Sequence, residues 1–389
     1  MFSARFDWDA RPNRLSQALD ARRRAGTKIL DLTESNPTRA GFSYPPAILH
    51  AFHDASILMY EPSPAGLEGA RNAVAAYYSA RGHTVDAGRI LLTASTSEAY
   101  SYLFKLLCNP GDEVLVPRPS YPLFEFLARM ESVEAGYYPL VCHGGWSIDM
   151  ERLEAAVTER TRAVVLVNPN NPTGSFLKRA EADALVRLAA ARGIALISDE
   201  VFSDYAFTAE PERMNTLAGI DGCLAFSMSG LSKIAGLPQM KLGWIVVAGP
   251  DRLRRDALER LEWIADTYLS VGMPVQCAAA RLLEAGEAMQ QQIRERTTAN
   301  LAYAREMLAG SAAGILPLEG GWCATMQVPR VRSEEEWALE LLHREGVLLQ
   351  PGFFYDFESE AFLIASLLTI PSVFREGIER LKRMLDADV

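Results

Sequence analysis

The amino-acid sequence predicts an α/β fold with a largely parallel sheet and a second, smaller domain. Three observations carry that expectation. Between about residues 45 and 250, short apolar runs alternate with amphipathic helical runs, the rhythm of a sheet covered by helices. The apolar runs have no polar alternate face, as strands buried on both sides require. After about residue 251 the chain becomes helical and charged, then changes again at Gly314, Pro317, Gly320 and Gly321, where a second unit takes shape.

In chain order, residues 1–44 hold an amphipathic stretch, NRLSQALDARRR, and a strand-like KILDLTE. That is too little for a separate core, so the segment is assigned to the small domain. Residues 45–275 form the large domain, with strands expected in RILLTAS, DEVLVPRP, RAVVLVNPN, GIALISDE, CLAFSMSG and KLGWIVVAG. Helices are expected between them, as in SEAYSYLFKLL and EADALVRLAAARG, and Gly193 fits a helix C-cap that leads straight into the next strand. Residues 276–389 complete the small domain. Its last helix, SVFREGIERLKRMLDA, places Phe374, Ile378, Leu381 and Leu385 on one face at spacings of four, three and four.

Composition narrows the function. The 389 residues, 49% hydrophobic, suffice for a substantial core, and a net charge of -10 argues against nucleic acid or an anionic membrane as the main partner. The N-terminus lacks the apolar run of a signal peptide, and no stretch reaches membrane-spanning length, so a cytoplasmic location is expected. Five scattered cysteines and five unclustered histidines point to neither a disulfide framework nor a metal site.

Ligands of open α/β sheets lie beyond the carboxyl ends of the strands. After RILL, TASTSEAY gives Ser95 and Glu98 the spacing of a capping box; the helix N-terminus, with the hydroxyls of Ser95, Thr96 and Ser97, is either a plain cap or an anion site. PRPSYPLF sets Tyr121 in a stiff loop, for packing or for stacking on a flat ligand. NPNNPTG, residues 168–174, is a turn that presents amide side chains at the sheet's edge. In SDEVF, Asp199 ends an apolar strand, either as a cap for the next helix or as a desolvated carboxylate awaiting a cation. In SGLSK, Lys233 is a lysine among apolar residues and glycines; held in a partly dry pocket, its amine becomes nucleophilic toward an aldehyde.

Taken in order, YEPSPAGLEGAR, TASTSEA, PRPSYPLF, NPNNPTG, SDEVF and SGLSK resemble the fold-type I, pyridoxal-phosphate-dependent class I/II aminotransferases over nearly the whole chain. The resemblance implies a large domain with a mostly parallel, seven-stranded-type sheet, a smaller α+β domain, and pyridoxal 5′-phosphate as cofactor. It implies that Lys233 forms the Schiff base and shuttles the substrate's proton, that Asp199 pairs with the ring nitrogen, that Asn171 donates to the phenolic oxygen, and that Tyr121 stacks on the ring. Ser95, Thr96 and Lys241 would hold the phosphate, and Tyr60 would reach the phosphate of a neighbouring subunit, which implies a homodimer. An amino donor and a keto acceptor are the implied substrates. A lyase, decarboxylase or carbon–carbon bond-forming enzyme on the same cofactor is the alternative, and a binding protein without turnover is a third reading.

Four positions depart from the family's pattern. Lys241 replaces the usual arginine, so a point charge replaces a bidentate fork. Phe202 replaces a tyrosine that donates to the phenolic oxygen, which should raise the pKa of the lysine linkage unless Tyr205 or another group compensates. Ser35 replaces a glycine beside the substrate. Ile364 stands where an arginine grips the substrate's carboxylate; Arg39 first, then Arg118, are the candidates to replace it.

Overall fold

A computed structural model describes residues 1–8 and 11–388. Its main sheet has eight strands in the order Ile90–Thr93, Gly243–Ala248, Ala225–Gly230, Ala195–Asp199, Thr161–Val167, Glu113–Arg118, Glu134–Cys142 and Trp146–Ile148. Six of these lie within the six apolar runs of the sequence. Only Gly243–Ala248 and the outer Trp146–Ile148 run antiparallel to their neighbours; the remaining pairings are parallel. Ala225–Gly230 and Gly243–Ala248 are buried at every position, which is why they carry no polar alternate face.

The strand Glu134–Cys142 and its short hairpin partner extend the expected seven-stranded type to eight. Gly136 and Pro139 disguise that strand in the sequence, since both residues are poor in strand interiors. The glycine has a packing reason: a Cβ there would meet Leu115 Cδ2 at 2.7 Å. Gly193 caps the Arg179–Arg192 helix in the left-handed region at φ 65° and delivers the chain into the next strand.

The small domain packs a four-stranded sheet against helices. Its core joins Leu15, Leu30 and Leu32 to Trp337, Leu342 and the terminal-helix residues Phe374, Ile378, Leu381 and Leu385, so the first segment packs with the C-terminal part. Leu30–Asp31 also pairs in parallel with Val347–Leu348. The Met273–Leu308 helix serves both cores: Val275, Ala278 and Leu282 pack with the large domain, and Leu301, Ala304 and Leu308 with the small one. Among the described residues, no helix is long and apolar enough to cross a membrane.

Candidate active site at the carboxyl ends of the strands

Three strands deliver the central groups to one cleft of about 470 Å3. Asp199 is the last residue of Ala195–Asp199, and Lys233 lies in the Leu231–Ile234 turn directly after Ala225–Gly230. That turn sits close against the next strand because Gly230 lacks a side chain; a Cβ there would meet Gly243 Cα and Leu242 O at 2.9 Å. Thr96 opens the helix Thr96–Leu107 after Ile90–Thr93.

Burial holds the Lys233 ammonium below the ordinary lysine range, while Cys323 and Asp199 oppose that fall. Its Nζ lies 5.2 Å from the Trp322 ring centroid and 5.8 Å from that of Phe202. Asp199 is affected in the opposite sense: burial raises its carboxyl to about 6, against the pull of its hydrogen bonds. Those bonds come from Val201 N–H to Oδ1 and Tyr100 Oη to Oδ2, both at 3.2 Å. Asp199 also lacks the role of a helix cap; its side chain lines the cleft.

At the helix N-terminus, the Ser95 hydroxyl accepts from Glu98 N–H at 3.2 Å. The other half of the expected box is displaced, since Glu98 Oε2 accepts from Ala94 N–H at 2.6 Å. Ser95, Thr96 and Lys241 all face the cleft, Lys241 from a left-handed residue at φ 53°. Helix N–H groups, hydroxyls and an ammonium thus converge on one anion-binding corner.

Tyr121 and Asn171 line the same cavity. Asn171 Oδ1 is buried and has no hydrogen-bond partner among the described residues, so the carboxamide is uncommitted and can turn its N–H toward an oxygen of a ligand. A flat ring bearing an oxygen substituent, a cationic nitrogen and a phosphate fits this donor set, and the volume suits a ring with a small substrate beside it. The residues present fit pyridoxal 5′-phosphate.

Other sequence expectations fall elsewhere. Ser35 is exposed yet still lines the cleft, whereas Tyr60, 72% exposed, lines a separate groove with Leu269 and Ser270. Arg39 is exposed and does not line the cleft; the Asn36 side chain caps the turn it lies in through Thr38. Arg118 is likewise outside, with its guanidinium 3.2 Å from the Tyr137 ring centroid and Nε 3.9 Å from Asp356 Oδ2. Ile364 is buried in the strand wall behind Gln350. Tyr205 does not compensate for Phe202, because its hydroxyl donates to the Lys233 main-chain carbonyl.

Tyr100, Trp322, Gln350 and Tyr355 complete the cleft without having been singled out in the sequence. For Tyr100 a signal existed: it lies one helical turn after Thr96, on the face that looks toward the same cavity. The other three come from the small domain, where no strand-end pattern announces them.

Comparison with known proteins identifies the family. The model of the family "Aminotransferase class I and II" matches residues 27–367. Glutamate-pyruvate aminotransferase AlaA of Haemophilus influenzae is 27% identical over 92% of this chain and 91% of that protein. Arginine–pyruvate transaminase AruH of Pseudomonas aeruginosa is 30% identical over 93% of this chain and 91% of its own. In structure, an aminotransferase from Escherichia coli aligns with a TM-score of 0.86 at 24% identity, over 99% of this chain and 98% of that one, a likeness of fold. The chain therefore belongs to the class I and II aminotransferase family and is itself an aminotransferase, a transferase of nitrogenous groups.

Proposed function

We propose that this cleft binds pyridoxal 5′-phosphate and exchanges an amino group between an amino donor and a keto acceptor, with Lys233 as the catalytic residue. The observation that carries the reading is the meeting of Lys233, Asp199 and the Ser95–Thr96–Lys241 anion corner around one cavity of about 470 Å3. When bound, the cofactor supplies an aldehyde that takes up the amino group and a ring that accepts the electron pair left when the donor's α-proton departs.

The protein's own groups do the rest. Burial keeps the Lys233 amine available as a base, and its flexible stem lets Nζ take a proton from one carbon and return it to another. Asp199, fixed by Tyr100 and Val201, holds a cationic ring nitrogen in place, and the cation in turn stabilises a carboxylate that burial disfavours. Ser95, Thr96 and Lys241 anchor the phosphate, Asn171 donates to the ring oxygen through its amide N–H, and Tyr121 covers the ring face. Tyr60 and its exposed neighbours Leu58 and Met59 support a homodimer in which Tyr60 reaches the second cleft.

The test is to load the protein with the cofactor and add a panel of amino donors. Loss of the aldehyde form's absorbance, restored by a keto acid, is the expected result. Release of ammonia or carbon dioxide in place of that reversible exchange would instead favour a lyase or decarboxylase.

A further inference from the structure

The cleft holds two cations, Lys233 and Lys241, and the reading above assigns both to the cofactor. Among the described residues that line it there is no arginine. The substrate end is therefore met by neutral groups; several of these are already committed, while the buried Trp322 Nε1–H has no partner among the described residues and is a second donor beside that of Gln350. Thr33 Oγ1 donates to Asp31 Oδ1, and Ser366 Oγ donates to the Glu34 carbonyl, both at 2.6 Å. Cys323 remains a neutral thiol, because burial pushes it up to about 12. A thiol is a weak donor.

Gln350 differs. It sits on the Gln350–Pro351 strand, opposite Ile364, and lines the cleft. Its Oε1 accepts from the hydroxyl of Tyr355, a buried residue, and that bond decides which end of the carboxamide faces outward. With the oxygen occupied, the amide nitrogen has no acceptor among the described residues. It is a donor held in place and left without a partner.

Resting on the aminotransferase reading, we propose that Gln350, positioned by Tyr355, is the substrate-orienting and specificity-determining residue, donating to an oxygen of the carboxylate or carbonyl group attached to the carbon that bears the donor's amino group. A neutral carboxamide brings no countercharge, so the stronger hydrogen bond that a carboxylate accepts is offset by its larger cost of leaving water, and it gains little over a carboxamide there. The substrates it suits are amino donors with a carboxylate or a neutral carbonyl beside the amine. An enzyme with a guanidinium clamp separates those two strongly.

The experiment compares alanine with alaninamide as donors to the loaded enzyme, and propionate with propionamide as unreactive probes, followed by quenching of Trp322 fluorescence in the cleft wall. In the wild type, the preference between members of each pair is below about tenfold. Gln350→Leu raises KM for both donors by about tenfold with a smaller change in kcat, and weakens both probes alike. Gln350→Glu keeps size and shape but adds a negative charge, and turns the preference toward alaninamide and propionamide by about tenfold or more. Tyr355→Phe frees the carboxamide to rotate and raises KM without abolishing turnover. A wild-type preference for alanine and propionate of a hundredfold or more reveals a charged clamp and overturns the proposal, as does unchanged KM and probe binding in Gln350→Leu. If neither these two donors nor any of the panel above reacts while probe binding follows Gln350 as described, the proposed amino-group exchange in this cleft fails and the binding assignment stands.

Discussion

The Tyr205 hydroxyl donates to the main-chain carbonyl of Lys233 across 2.5 Å, so a fully buried phenol braces the turn that carries the reactive amine. The same carbonyl also accepts from Gly236 N–H at 3.2 Å. Removing the phenol therefore leaves the carbonyl one partner. Tyr205→Phe is expected to cost about 1 kcal/mol in urea unfolding. Borohydride reduction of the loaded variant, followed by peptide mapping, should still place the label on Lys233. A label on Lys241 in either protein would reassign the nucleophile.

Phe202 lines the cleft with no hydroxyl to offer, and Tyr205 is committed elsewhere. Phe202→Tyr restores a donor toward an anionic ring oxygen. A donor favours the anionic form, so the pH midpoint of the loaded protein's visible spectrum should fall by about one unit. Spectrophotometric titration of both proteins measures it, and an unchanged midpoint would mean that the new hydroxyl points away from the ring.

Asp199 makes a prediction with opposite signs for stability and for binding. Its folded-state pKa of about 6 lies above the ordinary 3.8, so the native state holds the proton more tightly than the unfolded chain. The stabilising effect of that bound proton is complete below pH 3.8 and disappears as pH rises through about 6. In protein stripped of cofactor, Asp199→Asn should match the wild type at low pH and exceed it by about 3 kcal/mol above the upper pKa. The same variant should retain cofactor more weakly than Asn171→Ala, because only the former loses a charge. Urea unfolding against pH and equilibrium dialysis read the two effects separately.

The central half of this molecule was legible because burial on both faces writes a strand as an unbroken apolar run, and the loop chemistry follows directly at its end. Asp199 and Lys233 were visible for that reason. The strand at Glu134–Cys142 was not, since Gly136 and Pro139 answer to local packing that propensity cannot anticipate. Gln350 and Tyr355 were hidden for a different reason. They reach the cleft only through the packing of the small domain, and a glutamine turned by a tyrosine five residues on has no periodic signature. Arg39 lies exposed in a turn capped by Asn36, a local hydrogen bond that a reading by proximity in sequence does not anticipate.

The last prediction concerns the two arginines that sequence position recommends as carboxylate ligands. Arg39 is solvent-exposed on a capped turn, and Arg118 is occupied by the Tyr137 ring and by Asp356. Neither guanidinium lines the cleft, so neither adds to donor binding within one chain. Arg39→Ala and Arg118→Ala should each leave the donor KM within about twofold of wild type, the signature of residues that make no contact with ground state or transition state. Arg118→Ala should lose some stability through its stacked guanidinium, on the order of 0.5–1 kcal/mol. A tenfold rise in KM at constant kcat for Arg39→Ala would place that arginine at a substrate and overturn its exclusion from the cleft.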